Sequence, residues 1–267
     1  MKTKFEKIYV VSLITNKDRQ KFIKEQFDDL GIEFEFIYGI DFINFEGISW
    51  VDLSKDVYLS NGDKRFTTTH VFGCGMSHYQ AVNQAYHLGY NNVLIIEDDV
   101  CMNKDKQMLE EVFNNIPECA DYITYDIRPK TEFAKKYLDK IFFNTETLYQ
   151  NMLAFELWGG AMYGIMNRKT MELYLNNQHK HFTLADAVDG IWHAPGPTLN
   201  RYLCKKCVYI DQYTYEKSFV RNNDKFVIGY TSVSFTSDLN KYKSKDDFYC
   251  PPKFDIFTNK DFYVNEV

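Results

Sequence analysis

The segment Val93-Leu94-Ile95-Ile96-Glu97-Asp98-Asp99 passes directly from an apolar run to three carboxylates. An unbroken apolar run of this length is typical of a strand that is buried on both faces of a parallel sheet. In open α/β sheets, ligands bind in the crevice beyond the carboxyl ends of the strands. The segment therefore predicts an α/β fold with a polar site at the end of a buried strand.

The three adjacent carboxylates indicate a metal site. Neighbouring anions repel one another, so the group favours a bound cation. In an extended chain Glu97 and Asp99 point to one face and Asp98 to the other. Hard divalent cations prefer oxygen ligands and keep coordination positions for substrate phosphates. We predict Glu97 and Asp99 as metal ligands, and the alternative is a solvated strand end whose acids cap the next helix.

The remaining pattern alternates strands with helices, which predicts a mostly parallel sheet with helices on both faces. Besides the segment above, we predict strands at 8–13, 34–39, 122–127 and 160–165, and helices at 16–30, 108–116 and 168–175. A further helix follows Gly73-Cys74-Gly75, where the glycines predict a tight turn and the first N–H groups of the helix favour anions. A purely structural turn is the alternative.

Four segments, in this order, resemble glycosyltransferase family 25, the group that contains lipooligosaccharide galactosyltransferases and relatives of the collagen galactosyltransferases. They are Ser12-Leu13 with Asp18-Arg19, Gly73-Cys74 with Ser77-His78, Glu97-Asp98-Asp99, and Trp158-Gly159-Gly160-Ala161-Met162-Tyr163-Gly164-Ile165 before Arg168-Lys169. Ala187-Val188-Asp189 is similar to a later Val-Asp element of the family. The resemblance implies a GT-A-type, nucleotide-sugar-binding domain over residues 1–200. Residues 201–267 would be an extension that packs on it, with an acceptor-binding or membrane-surface role as the alternative.

The resemblance also implies roles for individual residues. A UDP-sugar would be the donor, with galactose as the first guess for the sugar, and Mn²⁺ or Mg²⁺ would be the cofactor. Asp99 would bind the metal directly, and Glu97 would hold the ribose or a metal-bound water. The expected donor-binding residues are Ser12, Leu13, Arg19, Ser77, His78, Glu97 and Asp98. A helix-surface ion pair is an equal alternative for Arg19, and a cap on the following turn is an equal alternative for Asp98.

An inverting transfer needs a general base for the acceptor hydroxyl. The family element implies Asp189, and Asp186 is the rival because it lies three residues away, on the same face if the segment is helical. The acceptor would be an oligosaccharide or a glycolipid, as in lipooligosaccharide or lipopolysaccharide synthesis. Residues 42–72 are long and polar for a connection, which predicts a loop that closes over the donor.

Composition limits the alternatives. The chain has 267 residues and a net charge of −6, which argues against a nucleic-acid-binding protein. The apolar run after the basic residues 1–7 is at the lower limit for a signal peptide, and no small-residue cleavage site follows it. We therefore expect a cytoplasmic protein that at most contacts the inner face of the plasma membrane. Two other classes stay open: a sugar nucleotidyltransferase, although residues 12–17 contain no glycine, and a non-catalytic glycan- or nucleotide-sugar-binding protein.

Overall fold

The computed structural model describes residues 1–39, 69–125, 128–129, 147–151, 157–158, 162–181, 199–206, 208–211 and 247–249. The strands are β1 (Lys7–Leu13), β2 (Glu35–Gly39), β3 (Val93–Glu97), β4 (Val100–Met102), β5 (Tyr122–Thr124), β6 (Arg128–Pro129), β7 (Tyr149–Asn151), β8 (Leu157–Trp158), β9 (Met162–Ile165), β10 (Arg201–Cys204) and β11 (Tyr209–Asp211). The helices are α1 (Lys17–Leu30), α2 (Thr69–His87), α3 (Lys106–Asn114) and α4 (Arg168–His181).

A central sheet of seven strands has the order β2-β1-β3-β9-β5-β10-β7. β2, β1 and β3 are parallel neighbours, and β5 and β10 are another parallel pair. β9 runs antiparallel to both β3 and β5, and β7 runs antiparallel to β10. Five of the seven strands therefore share one direction, as the sequence predicts.

The helices cover both faces of this sheet. On one face, α1 and α3 pack their apolar stripes against the even-numbered residues of β1 and β3, with Ile23, Phe27, Leu109 and Val112 buried beside Ile8, Val10, Leu94 and Ile96. On the other face, α2 and α4 pack against the odd-numbered residues, with Ala81, Val82, Ala85, Met171 and Tyr174 beside Tyr9, Val93 and Ile95. The helices on both faces confirm the predicted layers. Complete burial of a large apolar side chain contributes about 1.5–3 kcal/mol, so these two cores dominate the stability of the fold.

The ends of the helices follow local sequence. α1 ends at Gly31, whose left-handed backbone (φ 68°) lets its N–H reach the Asp28 carbonyl at 3.1 Å. α3 begins after Asp105, whose side chain accepts a hydrogen bond from the Met108 N–H at 3.0 Å. Both caps fix the helix lengths, so each helix presents one apolar stripe to the sheet.

The prediction of a tight turn at Gly73-Cys74-Gly75, before α2, is wrong. The helix begins at Thr69, so Gly73 and Gly75 lie inside it, and both are buried. Glycine inside a helix costs about 1 kcal/mol relative to alanine, and packing of α2 against the sheet offsets that cost. The predicted anion site on free N–H groups near residue 75 is therefore absent, since those groups belong to the helix interior. The predicted 42–72 loop also loses its last residues, 69–72, to α2, and its remainder lies outside the described residues.

The chain after residue 200 contributes to the same body. β10 lies between β5 and β7 in the central sheet, and β11 pairs with β4. Phe248 forms an isolated bridge with Asn103, directly after β4. Most of residues 201–267 lies outside the described residues, so the role of this segment stays a prediction.

Candidate functional site

The site forms where β1, β2 and β3 end together. The register pairs Val11 of β1 with Glu97 of β3, which places Ser12 beside Asp98. On the other side, Leu13 pairs with Gly39 at the end of β2. The three carboxylates therefore follow a buried strand and open at the carboxyl edge of the parallel part of the sheet.

Asp98 is buried and accepts three hydrogen bonds from the first βα connection. Its Oδ2 accepts from the Ser12 hydroxyl at 2.6 Å and from the Asn16 side-chain amide at 3.2 Å. Its Oδ1 accepts from the Arg19 guanidinium at 2.9 Å, and the Asp98 side chain is only 7% exposed. Gln20 secures the same connection by donating to the Leu13 carbonyl at 2.6 Å. Asp98 thus ties the end of β3 to the start of α1.

Arg19 carries the positive charge of this site. Burial alone would lower its pKa, but the negative charge of Asp98, with smaller contributions from Asp99 and Glu97, outweighs burial and raises the pKa of Arg19 above its ordinary value. The guanidinium remains charged at every physiological pH. Arg19 thus forms an ion pair, but with a buried carboxylate and not with a residue of the helix surface, and its diphosphate-binding role stays a prediction.

Glu97 points to the opposite face of the sheet, toward α2. His78 is buried on α2, and its Nε2 lies 3.0 Å from Glu97 Oε1. Its Nδ1 lies 2.8 Å from the Tyr163 hydroxyl of β9, and the two rings stack with centroids 5.5 Å apart. Burial, with the nearby Tyr174, Tyr122, Cys74 and Glu97, raises the pKa of Tyr163 well above its ordinary value. The phenol is therefore neutral and can either donate to or accept from His78.

Cys74 lies one helical turn before His78 on α2. Its thiol is exposed and lies 3.8 Å from Glu97 Oε1. Ser77, the neighbour of His78, is buried, and its hydroxyl donates to the Gly73 carbonyl at 2.6 Å. α2 passes close to Gly39, the last residue of β2. A Cβ at this position would collide with the Ser77 hydroxyl, which explains the glycine.

The structure brings most of the predicted site residues together. Ser12, Arg19 and Asp98 form one hydrogen-bonded group, His78 and Glu97 form another, and Leu13, Ser77 and Asp99 lie on the same three strand ends or on α2. Asp99 is half-buried in the short turn between β3 and β4. Their roles in donor and metal binding stay predictions. Asp186 and Asp189 lie outside the described residues.

Three contributors were missing from the predicted site. The sequence predicts only a helix for Asn16 and Gln20, although polar residues shortly after a buried strand are a signal for a site. Tyr163 lies in the 158–165 segment that resembles the family, but the sequence predicts no role for it, because its contact with His78 spans 85 residues of sequence.

The model of glycosyltransferase family 25, described as an LPS biosynthesis protein family, matches residues 5–163. This span is more than half of the chain and contains every described site residue. The chain belongs to glycosyltransferase family 25. The family assignment made from the sequence is confirmed.

Proteins similar to this family 25 chain include a curated relative and a protein of known structure. A curated protein of Haemophilus influenzae (strain ATCC 51907 / DSM 11121 / KW20 / Rd), named "Putative glycosyltransferase", is 30% identical over 119 residues. The match covers 45% of this chain and 38% of that relative. A crystal structure of a glycosyltransferase involved in the glycosylation of the major capsid of PBCV-1 aligns over 66% of this chain and 67% of that one, with 10% identity and a TM-score of 0.37.

The described part of the chain contains no helix that is both long and apolar enough to cross a bilayer.

Proposed function

We propose that this family 25 chain is a GT-A-type, metal-dependent, inverting hexosyltransferase that uses a UDP-sugar donor and a saccharide acceptor. The observation that carries the proposal is the triplet Glu97-Asp98-Asp99 at the carboxyl end of a buried central strand, beside the end of β1. The family's description supports an acceptor in lipopolysaccharide or lipooligosaccharide synthesis, and galactose is the first donor sugar to test. The proposed reaction would take place in the cytoplasm, with contact to the inner face of the plasma membrane when the acceptor is a glycolipid.

The carboxylate oxygens of the triplet are the kind of ligand that a hard divalent cation such as Mn²⁺ or Mg²⁺ prefers. Asp98 is already engaged with Ser12, Asn16 and Arg19, so it is the least suited of the three to bind a metal. Asp99 would be the direct ligand, and Glu97 would hold the ribose or a metal-bound water. When bound, the cation would offset the negative charge that develops on the leaving diphosphate.

The chain's own residues would orient the donor around this point. The ion pair with Arg19 neutralises Asp98, which limits the negative charge that a diphosphate would meet. The tie from Asp98 to Ser12 holds the end of β1, where Leu13 and Ser12 would line the nucleotide site. The base that removes the acceptor proton would be Asp189, with Asp186 as the alternative.

A panel of UDP-sugars tests the proposal. We expect one of them to raise the melting temperature of the protein only in the presence of Mn²⁺, and to be hydrolysed slowly without acceptor. Asp99→Asn preserves the shape of the side chain and removes its charge, so it should abolish the Mn²⁺-dependent stabilisation and leave the fold intact. Unchanged Mn²⁺ dependence in this variant would disprove the metal assignment, and stabilisation without any hydrolysis or transfer would indicate a binding protein.

A further inference from the structure

Three side chains near the proposed donor site bring a thiol, an imidazole and a carboxylate together. Cys74 and His78 are four residues apart on α2, so both side chains lie on the same face of the helix. Glu97 faces them from the end of β3, with Oε1 3.0 Å from His78 Nε2 and 3.8 Å from Cys74 Sγ. One ligand atom from each residue lies within 4.8 Å of the other two.

We propose that Cys74, His78 and Glu97 form a binding site for a thiophilic divalent cation of the zinc class. Thiolate, imidazole and carboxylate are the three protein ligand types of Zn²⁺. A thiolate ligand disfavours Mg²⁺ and Mn²⁺, which prefer oxygen ligands, so this site differs in its chemistry from the one expected at Asp99. It shares His78 and Glu97 with the residues expected to bind the donor, whereas Cys74 has no expected role there.

The charge of the site suits a dication. The Cys74 thiol would lose its proton to solvent on binding, as metal-bound cysteines do. The thiolate and the Glu97 carboxylate would then together balance a charge of +2, and His78 would bind as the neutral ring. His78 is buried, Glu97 is half-buried and Cys74 is exposed, so one side of the site faces solvent. A fourth position would be open there to water or another ligand, as in zinc sites that are not purely structural.

Tyr163 supplies the outer contact that metal-bound histidines normally have. An ionised Glu97 carboxylate can only accept, so in the neutral ring Nε2 would carry the proton and Nδ1 would accept from the Tyr163 hydroxyl. With a metal on Nε2, the ring proton would move to Nδ1, and the Nδ1–H group would donate to the Tyr163 oxygen. A neutral phenol serves both tautomers, and the ring needs no rotation because Nδ1 already lies 2.8 Å from Tyr163.

Because Glu97 would serve both sites, the bound thiophilic cation would compete with the donor for that carboxylate. We therefore expect Zn²⁺ to inhibit transfer measured in Mn²⁺, and Cys74→Ser to weaken this inhibition. The binding itself is independent of the proposed function, because it needs neither donor nor acceptor.

The direct test uses Co²⁺ alone with the full chain. Co²⁺ bound to a thiolate gives a near-ultraviolet charge-transfer band and visible bands of tetrahedral intensity, and Zn²⁺ should displace both. Cys74→Ser should abolish the charge-transfer band. Tyr163→Phe should retain it but weaken affinity about 10–100-fold, the usual cost of losing an outer contact.

Cys119→Ser is the matched control, because Cys119 is also an exposed thiol and lies 3.1 Å from the Tyr202 hydroxyl, in another part of the fold. The control should bind Co²⁺ as the unaltered protein does. A charge-transfer band that is missing from the unaltered protein, or that persists in Cys74→Ser, would overturn the proposal. Because no donor is present, a negative result here leaves the glycosyltransferase proposal untouched, and a positive result does not depend on it.

Discussion

The ion pair between Arg19 and Asp98 should stabilise the fold far more than an exposed pair on the same helix. The two side chains are 30% and 7% exposed, and Asp98 also accepts from Ser12 and Asn16. The matched pair is Lys24 with Asp28, which has an N–O distance of 2.6 Å but exposures of 65% and 59%. Distance alone would rank the second pair higher, so the comparison isolates burial.

The expected magnitudes differ several-fold. A hydrogen bond to a charged, buried partner contributes roughly 1.5–3 kcal/mol, so we expect a coupling energy of about 2 kcal/mol between Arg19 and Asp98. An exposed i,i+4 pair typically couples by about 0.3–0.5 kcal/mol. Asp98→Ala should cost about 3 kcal/mol, near the lower end of the cost of breaking a buried pair, because Arg19 keeps some contact with water.

Double-mutant cycles measured by urea unfolding test this directly. One cycle uses Arg19→Met, Asp98→Asn and the double variant, and the other uses Lys24→Met, Asp28→Asn and their double variant. Equal coupling energies in the two cycles, within about 0.5 kcal/mol, would refute the reasoning that Asp98 is a buried anchor. A loss of UDP affinity in Arg19→Met with little loss of stability would instead favour the diphosphate-binding role.

Three further predictions concern catalysis, the loop and a buried thiol. Asp189→Asn should lower kcat about 10²–10⁴-fold with unchanged donor affinity, and a larger loss in Asp186→Asn would transfer the base to that residue. Amide exchange in residues 42–68 should slow when UDP and Mn²⁺ are present, and equal exchange in both states would exclude a lid over the donor. Burial raises the pKa of the Cys204 thiol from 9.0 to about 12. The neutral buried thiol therefore makes its full contribution to stability below pH 9, and this contribution is lost as the pH rises through 12. Urea unfolding should accordingly show that Cys204→Ala loses less stability above pH 9 than the unaltered protein, by up to about 1.4 kcal/mol per pH unit, and parallel pH profiles would contradict this.

The sequence predicted best those strands and helices whose hydrophobic pattern lies within the element itself. The apolar runs of β1 and β3 and the apolar stripes of α1 and α3 each lie within a few turns or residues, and packing on the sheet agrees with them. The carboxylates could be placed for the same reason, since the end of a buried strand is a local feature. Local sequence patterns were therefore sufficient to predict these strands and helices and the position of the carboxylates.

The error at Gly73 and Gly75 shows where local signals mislead. Glycine is a weak helix former, and two in close succession resemble a turn, but α2 continues through both while they are buried. The same limit applies to Tyr163. Its position beside His78 depends on the antiparallel pairing of β9 with β3, where Tyr163 faces Ile95, and no short-range pattern predicts that register.

The partners of the carboxylate triplet explain why its members need not act alike. Alternation along β3 sends Glu97 toward α2 and Asp98 toward α1, so each neighbouring anion meets a different set of donors. Asp98 is neutralised within the protein by Arg19, whereas Glu97 faces a histidine and a thiol whose ligand atoms can also bind a metal. Because Asp98 is held in the ion pair with Arg19, the two outer members of the triplet stay the candidates for binding an external cation. Replacing Asp98 should therefore affect stability first, while replacing Glu97 or Asp99 should affect ligand binding first.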